Sequence, residues 1–306
     1  MKLAISSCHL EHYDCLQKSV GAFLQYMQLT YGMLTIDAWG FLFQKKENNS
    51  YQLYTNKGDT IENLKQYYGY ALHEIMKTDE IADSIRNGVP VLACLNRNMI
   101  NWEIDNIINL DDHYVLIIGI DQENMFFVCC DSDAKEENVI IPYQNRGILK
   151  KMWTFQKAGN PLTVDEGMLN VAIHKIQNTE LERNLVEFST YIKDHIDEYL
   201  SEISYEKDNY HQSDITWQLY NIRTGRIQFI RFLEEVNWVT NRPEIRQLIM
   251  ELNDVADAWN KFWYYSIKMK CKYTEKNLQR LYTIMNHILA SENQAIKTIK
   301  ILSKSD

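Results

Sequence analysis

The chain has 306 residues, of which 45% are hydrophobic and 24% charged, and its formal net charge is −9. These values are typical of a globular protein with one or two domains. The negative net charge argues against unaided binding to nucleic acid or to an anionic membrane. The sequence contains no apolar stretch of about 18 residues, so it predicts no membrane span.

The N-terminal residues and the cysteines favour a cytoplasmic protein. Residues 1–15 include a lysine but lack the apolar segment of a signal peptide. The cysteines form no Cys-x-x-Cys pair, so we expect free thiols in a reducing compartment; they stand at positions 8, 15, 94, 129, 130 and 271. His9 and His12 with Cys8 and Cys15 could imitate a metal cluster, but zinc sites usually draw a second ligand pair from elsewhere in the chain, so we predict no metal and no cofactor.

The first part of the chain mixes helical and strand patterns. Apolar residues at three- and four-residue spacing predict a helix over 15–29, with Asp14 as its N-cap. Further patterns predict helices over 60–74 and 79–87, and strands over 89–95, 113–120, 125–130, 138–142 and 149–155. Because turn-forming residues 121–124 join two of these strands, an antiparallel hairpin is expected. The fold class is therefore α+β, with a helix leading into an antiparallel sheet.

Beyond the turn-forming cluster Gly159-Asn160-Pro161 the pattern becomes helical. We predict a catalytic domain over 1–160 and a helical bundle over 161–306. The predicted helices cover 164–177, 180–203, 214–238, 244–270 and 274–302, with Pro243 at the N1 position of the fourth. Three arginines on the third of these helices are expected on its solvated face: Arg223, Arg226 and Arg231. These arginines, or Lys150-Lys151, could dock an acidic partner.

Three residues form a candidate catalytic constellation. Cys15 lies at a helix N-terminus, where unpaired N–H groups and the helix dipole favour a thiolate and a developing oxyanion. His113 opens one hairpin strand, and Asp131 follows the other. If the strands pair, the carboxylate can orient the imidazole as a general base, although Asp133 and Asp121 compete for that role.

The motifs GVPVLACL, HYVLIIGID and FFVCCDSD, after a cysteine at a helix start, resemble the papain-fold, C39-like cysteine peptidases. They also resemble the related amide-forming acyltransferases with a butirosin-biosynthesis-H-like domain. This resemblance covers about residues 5–145 and implies catalysis by Cys15, His113 and Asp131. The long helical extension resembles the acyltransferase branch more than a minimal peptidase.

The acyltransferase branch implies an acyl or peptidyl carrier protein with a phosphopantetheine thioester as donor and a small amine, such as a diamine, as acceptor. Papain-fold peptidases usually carry an oxyanion-binding Gln six residues before the nucleophile, where this chain has His9. His9 or His12 could replace that donor, and Asp111 and Asp112 could recognise a cationic acceptor. The helical domain could exclude water or form a homodimer. The alternatives are a C39-like peptidase and a non-catalytic binding or assembly protein.

Overall fold

A computed structural model describes residues 1–45, 51–55, 58–103, 112–136, 138–177, 180–204 and 214–302. The chain divides into two compact units, Met1–Leu34 with Thr60–Leu162, and Thr35–Asp59 with Thr163–Asp306. The predicted division at residue 160 lies beside the last of these boundaries. Residues 35–59, however, group with the helical unit and not with the predicted first domain.

The described part of the chain contains eight strands and nine α-helices, joined by short 3₁₀ turns. In chain order they are α1 Cys15–Tyr26, β1 Leu42–Lys45, β2 Tyr51–Tyr54, α2 Thr60–Tyr68, β3 Tyr70–Ile75, α3 Thr78–Arg86, β4 Val91–Asn96, β5 Asp112–Asp121, β6 Phe126–Cys130, β7 Val139–Pro142, β8 Leu149–Lys157, α4 Glu166–Gln177, α5 Leu181–Asp194, α6 Ile196–Glu202, α7 Asp214–Thr240, α8 Pro243–Cys271 and α9 Glu275–Leu302. The α+β class, with an antiparallel sheet and a helical C-terminal region, is confirmed.

The first unit is built on a six-stranded antiparallel sheet. Its strand order is β3-β8-β4-β5-β6-β7. The two central strands β4 and β5 carry nearly continuous runs of buried apolar residues, as a strand covered on both faces should. Val91, Val115 and Ile117 are fully buried and share one core with Ile81 and Ile85 of α3. This core gives the sheet a rigid centre from which β5 presents its first residues.

The predicted helix over 60–74 is wrong in its second half. Helix α2 ends at Tyr68, and the next residues form strand β3, which pairs with β8 from Tyr70↔Lys157 to Ile75↔Met152. Gly69 separates the two with φ 69°, a backbone conformation that favours glycine. The apolar spacing suits a helix, but pairing with β8 determines the conformation, since isolated spacing is a weaker constraint than a sheet ladder.

The second unit is a helical bundle with a small hairpin. Strands β1 and β2 pair antiparallel from Leu42↔Tyr54 to Lys45↔Tyr51, and neither was predicted. Phe41 and Phe43, just before and within β1, pack their rings 5.7 Å and 5.2 Å from Phe188 of α5. The predicted helix 180–203 is two helices, because His195 (φ −132°, ψ 40°) leaves the helical conformation. Pro243 occupies the first turn of α8, as predicted.

One arginine on α7 is not on a solvated face. Arg226 is fully buried, and its Nε and Nη2 donate to Glu292 Oε1 at 2.9 and 2.7 Å. The indole N–H groups of Trp39 and Trp259 donate to the same carboxylate. The predicted docking role is therefore wrong for Arg226. Among the helices that the structure describes, none is long and apolar enough to cross a membrane.

Candidate active site

Cys15 is the first residue of α1, in the first unit. Asp14 is its N-cap, as predicted, and its Oδ1 accepts the Gln17 N–H at 2.8 Å, while Gln17 Oε1 accepts the Asp14 N–H at 3.1 Å. This capping box satisfies the N–H of the third helical residue. The N–H groups of Cys15 and Leu16 have no acceptor within the helix, because the first turn of any α-helix lacks one. The nucleophile candidate therefore sits among backbone donors that can bind an oxyanion.

The hairpin of β5 and β6 places the second and third candidates. The strands pair with Leu116 opposite Cys130 and Asp121 opposite Phe126, so the start of β5 and the end of β6 share one end of the hairpin. His113 Nε2 lies 2.8 Å from Asp131 Oδ2, and both residues are 1% exposed. The predicted proximity of these two residues, 18 positions apart, is thus present. Asp121 lies at the opposite end and accepts hydrogen bonds from Asn124 instead.

Cys15, His113 and Asp131 form a chain of side-chain contacts. The Sγ atom of Cys15 lies within 4.8 Å of a ring nitrogen of His113. Because a carboxylate can only accept, the Nε2 of His113 carries the proton of the bond to Asp131, and Nδ1 remains for the thiol. In its neutral form the ring can therefore accept the thiol proton at Nδ1, and the imidazolium that results donates to the thiolate from the same nitrogen.

Electrostatics favour a protonated imidazole at this position. Burial alone would lower the pKa of His113, but the hydrogen bonds to Asp131 and Cys15 and the negative charge of Asp131 raise it to about 9. Burial opposes ionisation of Asp131 too, yet the hydrogen bond and charge of His113 hold the pKa of that carboxyl below its usual value. The pair is therefore an imidazolium–carboxylate pair near neutral pH.

Asp131 is anchored by two further donors. Trp102 Nε1 donates to Oδ2 at 2.8 Å, and the backbone N–H of Asp133 donates to Oδ1 at 2.9 Å. Trp102 also lines a surface cleft of about 580 Å³. With both oxygens occupied, the carboxylate cannot rotate freely, and the orientation of His113 is fixed with it.

A buried ion pair lies beside this chain of contacts. Lys18, one turn after Cys15 in α1, donates to Asp133 Oδ1 at 2.5 Å, and both side chains are 8% exposed. Ligand atoms of Asp133, Cys15 and His113 all lie within 4.8 Å of one another. Sequence reasoning weighed Asp133 as an alternative partner for His113 but missed Lys18 and Trp102. The i, i+3 spacing of Cys15 and Lys18 was the available signal for the lysine.

The thiol, imidazole and carboxylate of Cys15, His113 and Asp133 are spaced so that they could bridge a metal ion. Two of the three groups have other strong partners, since Lys18 holds Asp133 and Asp131 holds His113. The lysine ammonium would also repel a cation beside it. The donor set therefore fits nucleophilic chemistry better than metal binding.

The remaining candidates lie around this centre with different surroundings. His9 is exposed, and His12 is half-buried with a left-handed backbone (φ 68°) in the turn before α1. Asp112 is exposed and ion-paired with Lys150, so its charge is partly compensated. Asp111 lies outside the described residues.

The other thiols have surroundings unlike that of Cys15. Burial, reinforced by the nearby Cys130, raises the pKa of Cys8 to about 12. Burial also raises the pKa values of Cys94 and Cys129. Cys15 is partly exposed, and Cys271 is exposed at the end of α8 in the second unit. Cys15 is thus a partly exposed thiol whose sulfur lies within 4.8 Å of an imidazole nitrogen.

Residues 24–160 match the family model described as the Peptidase_C39 like family, so this part of the chain is similar to that family. The match supports a papain-like, cysteine-dependent enzyme. The match includes His113 and Asp131 and begins nine positions after Cys15. A comparison with curated proteins gave no match.

Proposed function

We propose that this protein is a cysteine-dependent acyltransferase that moves an acyl group from a thioester to an amine. The observation that carries the proposal is the arrangement at the N-terminus of α1, where the Cys15 sulfur lies within 4.8 Å of a His113 ring nitrogen and His113 Nε2 lies 2.8 Å from Asp131 Oδ2. It joins the two devices that make a thiol nucleophilic, a helix N-terminus and an adjacent imidazolium.

The proposed reaction has two steps. The Cys15 thiolate attacks the thioester carbonyl, the bond from that carbon to the donor sulfur breaks, and the His113 imidazolium protonates the leaving thiolate. The acyl group is then a thioester on Cys15. An amine attacks it, the new C–N bond replaces the C–S bond of Cys15, and the amine proton passes to His113, which restores the ion pair.

Backbone donors are the proposed oxyanion site. In both steps the oxyanion of a tetrahedral intermediate develops beside the N–H groups of Cys15 and Leu16. The usual glutamine donor is replaced by His9, whose side chain is exposed. A thioester needs less help than a peptide bond, because a thiolate is a better leaving group than an amine. The proposal therefore favours thioester donors over peptide cleavage.

The donor and acceptor extend this proposal. The resemblance to amide-forming enzymes favours a phosphopantetheine thioester on a carrier protein as donor and a small amine as acceptor. Acceptor recognition by Asp111 and Asp112, an oxyanion role of His9 or His12 and a homodimer stay predictions. A C39-like peptidase is the second candidate, and the description of the matched family favours it.

Intact-mass spectrometry tests the proposal and separates the two candidates. The protein is incubated with an acyl-pantetheine thioester or with an unstructured peptide, and peptide fragmentation locates any acyl group. We expect a mass increase of one acyl group on Cys15 with the thioester, its loss on addition of a diamine, and the matching amide. Cys15→Ala should give neither, whereas Cys271→Ala, which removes the exposed thiol of the second unit, should behave as the parent protein. Cleavage of the peptide without stable acylation by the thioester would contradict the proposal in favour of the peptidase.

A further inference from the structure

The ion pair of Lys18 and Asp133 is not accounted for by a Cys–His–Asp mechanism. Asp133 carries a carboxylate within 4.8 Å of the Cys15 sulfur and of a His113 ring nitrogen. A negative charge at that distance opposes the formation of a thiolate, because like charges in a poorly solvated site repel strongly. A bare aspartate here would work against the proposed nucleophile.

Lys18 supplies the missing positive charge from the same helix that carries Cys15. Its ammonium lies 2.5 Å from Asp133 Oδ1, and each of the two side chains is 8% exposed. Water screens such a pair poorly, so the lysine charge acts on both the carboxylate and the neighbouring sulfur. The pair is neutral as a whole, and its positive end belongs to α1.

The pair also joins the two segments that carry the catalytic candidates. Lys18 lies one turn after Cys15, and Asp133 follows Asp131 by two residues and donates its backbone N–H to Asp131 Oδ1. One ion pair therefore connects the nucleophile helix to the carboxylate that orients His113. A displacement of α1 would have to break a buried, charge-assisted hydrogen bond.

We infer that Lys18 is a positioning residue that neutralises Asp133 beside Cys15 and thereby permits a thiolate next to the His113–Asp131 pair. This inference rests on the proposed role of Cys15 as nucleophile. The titratable and charged groups around the thiol on the elements that surround it are Asp14 and Lys18 of the helix start, His113 and Tyr114 of β5, and Asp131 and Asp133 after β6. Of these, only the charges of Lys18 and Asp133 are changed in the test below.

The direction in which variants of Lys18 and Asp133 change thiolate formation at Cys15 distinguishes an electrostatic role of the ion pair from a purely structural role. Lys18→Met leaves the Asp133 carboxylate without its ammonium, which should disfavour the thiolate. Asp133→Asn leaves the ammonium without its carboxylate, which should favour it. The double variant removes both charges and should lie near the parent protein. A merely structural tie predicts instead that both single variants lose reactivity together.

The experiment measures the rate at which iodoacetamide alkylates Cys15 as a function of pH, in proteins that also carry Cys271→Ala. We expect the acid limb of the profile to move up by about one pH unit or more in Lys18→Met, which is about a ten-fold loss of rate on that limb. It should move down in Asp133→Asn and return in the double variant. Lys18→Arg keeps the charge and should rescue the profile. Lys135→Met, which removes the exposed partner of Glu103 in the same unit, is the matched control.

Shifts of both single variants in the same direction, or an unmoved limb in Lys18→Met, would overturn the inference. Thermal unfolding of each variant shows whether a lost signal reflects an unfolded chain, and Asp133→Asn, which is expected to gain reactivity, keeps the test decisive if Lys18→Met does not fold. If the acid limb of the alkylation profile shifts as expected in these variants but the protein transfers no acyl group, the proposed function is contradicted and this inference stands. If the protein transfers acyl groups but the acid limb does not shift, the proposed function stands and this inference is overturned.

Discussion

Trp102 donates its indole N–H to Asp131 Oδ2 over 2.8 Å, and the same oxygen lies 2.8 Å from His113 Nε2. One carboxylate oxygen thus receives two donors, one from a residue outside any strand and one from the proposed base. The Trp102 donor limits the rotation of the Asp131 carboxylate, and this carboxylate in turn orients the imidazole ring of His113. Trp102 therefore acts on the proposed chemistry through Asp131, without needing to touch a substrate.

Replacement of Trp102 tests this relationship. Trp102→Phe keeps an aromatic ring and removes the N–H, so we expect the rate of Cys15 acylation to fall by about ten-fold, as the loss of one hydrogen bond to a charged group predicts. Trp238→Phe is the control, because Trp238 is 89% exposed on α7. A folded Trp102→Phe protein that is acylated at the parent rate would show that the indole N–H bond to Asp131 does not contribute to the reaction.

The pH dependence of acyl transfer should report the His113–Asp131 pair. His113 must be protonated to release the donor thiol, and its pKa is about 9, so the rate should decline above that pH. Asp131→Asn removes the charge that supports the imidazolium, and the alkaline limb should move down toward 6.5, the ordinary value for histidine.

The matched control for this change is Asp121→Asn, at the opposite end of the same hairpin, which should leave the limb in place. Steady-state rates across the pH range provide the measurement. An alkaline limb that stays near pH 9 in Asp131→Asn would assign it to another group.

The same histidine should make the stability of the protein depend on pH. Its pKa is 6.5 in an unfolded chain and about 9 in the folded one, so the folded state binds the proton more tightly. The resulting stabilisation is complete below pH 6.5 and is lost as the pH rises through about 9. Its size is on the order of 3 kcal/mol, from about 1.4 kcal/mol for each pKa unit.

Denaturant titrations below pH 6.5 and above pH 9 measure this loss. His113→Gln should show a smaller decrease in the free energy of unfolding over that interval. His73→Gln, which changes an exposed histidine on β3, should decrease as the parent does. Equal decreases in the free energy of unfolding for the His113 variant and the parent would mean that protonation of His113 is not linked to folding.

The buried charges of the second unit should be costly to separate. Glu292→Ala leaves the Arg226 guanidinium fully buried without its carboxylate, and we expect a loss of about 3–5 kcal/mol. Replacement of both residues by methionine should restore much of that loss. Glu182→Ala breaks an exposed pair with Lys300 and should cost about 1 kcal/mol or less. Thermal unfolding checks this prediction, and similar losses from the buried and the exposed pair would contradict it.

Local patterns predicted most of the first unit, including the contact on which the site depends. Asp14 and Cys15 are readable as a helix start, and a four-residue turn between two apolar runs is a hairpin signal. Once the hairpin is accepted, His113 and Asp131 must share one end of it. The site could therefore be predicted from sequence, because the contact between His113 and Asp131 lies within a single hairpin.

The features that were missed depend on partners distant in the chain. The helix predicted over 60–74 includes most of β3, because residues 60–75 alone give no sign of the pairing with β8. The sequence predicts a solvated Arg226 because its buried partner Glu292 lies 66 residues later in the chain. Trp102 and Lys18 acquire their roles from Asp131 and Asp133, across 29 and 115 positions. A spacing rule covers neighbours along one element and does not reach such pairs.

The assignment of residues 35–59 to the helical unit has a consequence for synthesis on the ribosome. Trp39, Phe41 and Phe43 emerge early, but the helices that bury them, α5 and α8 among them, follow more than a hundred residues later. These aromatic residues therefore lack their packing partners until after the strands of the first unit, which follow them in the chain, have been synthesised. The same interleaving means that a protein shortened after residue 162 would keep three large aromatic side chains without the helices that bury them. A shortened chain that is to stay soluble would need residues 35–59 replaced by a short polar linker as well.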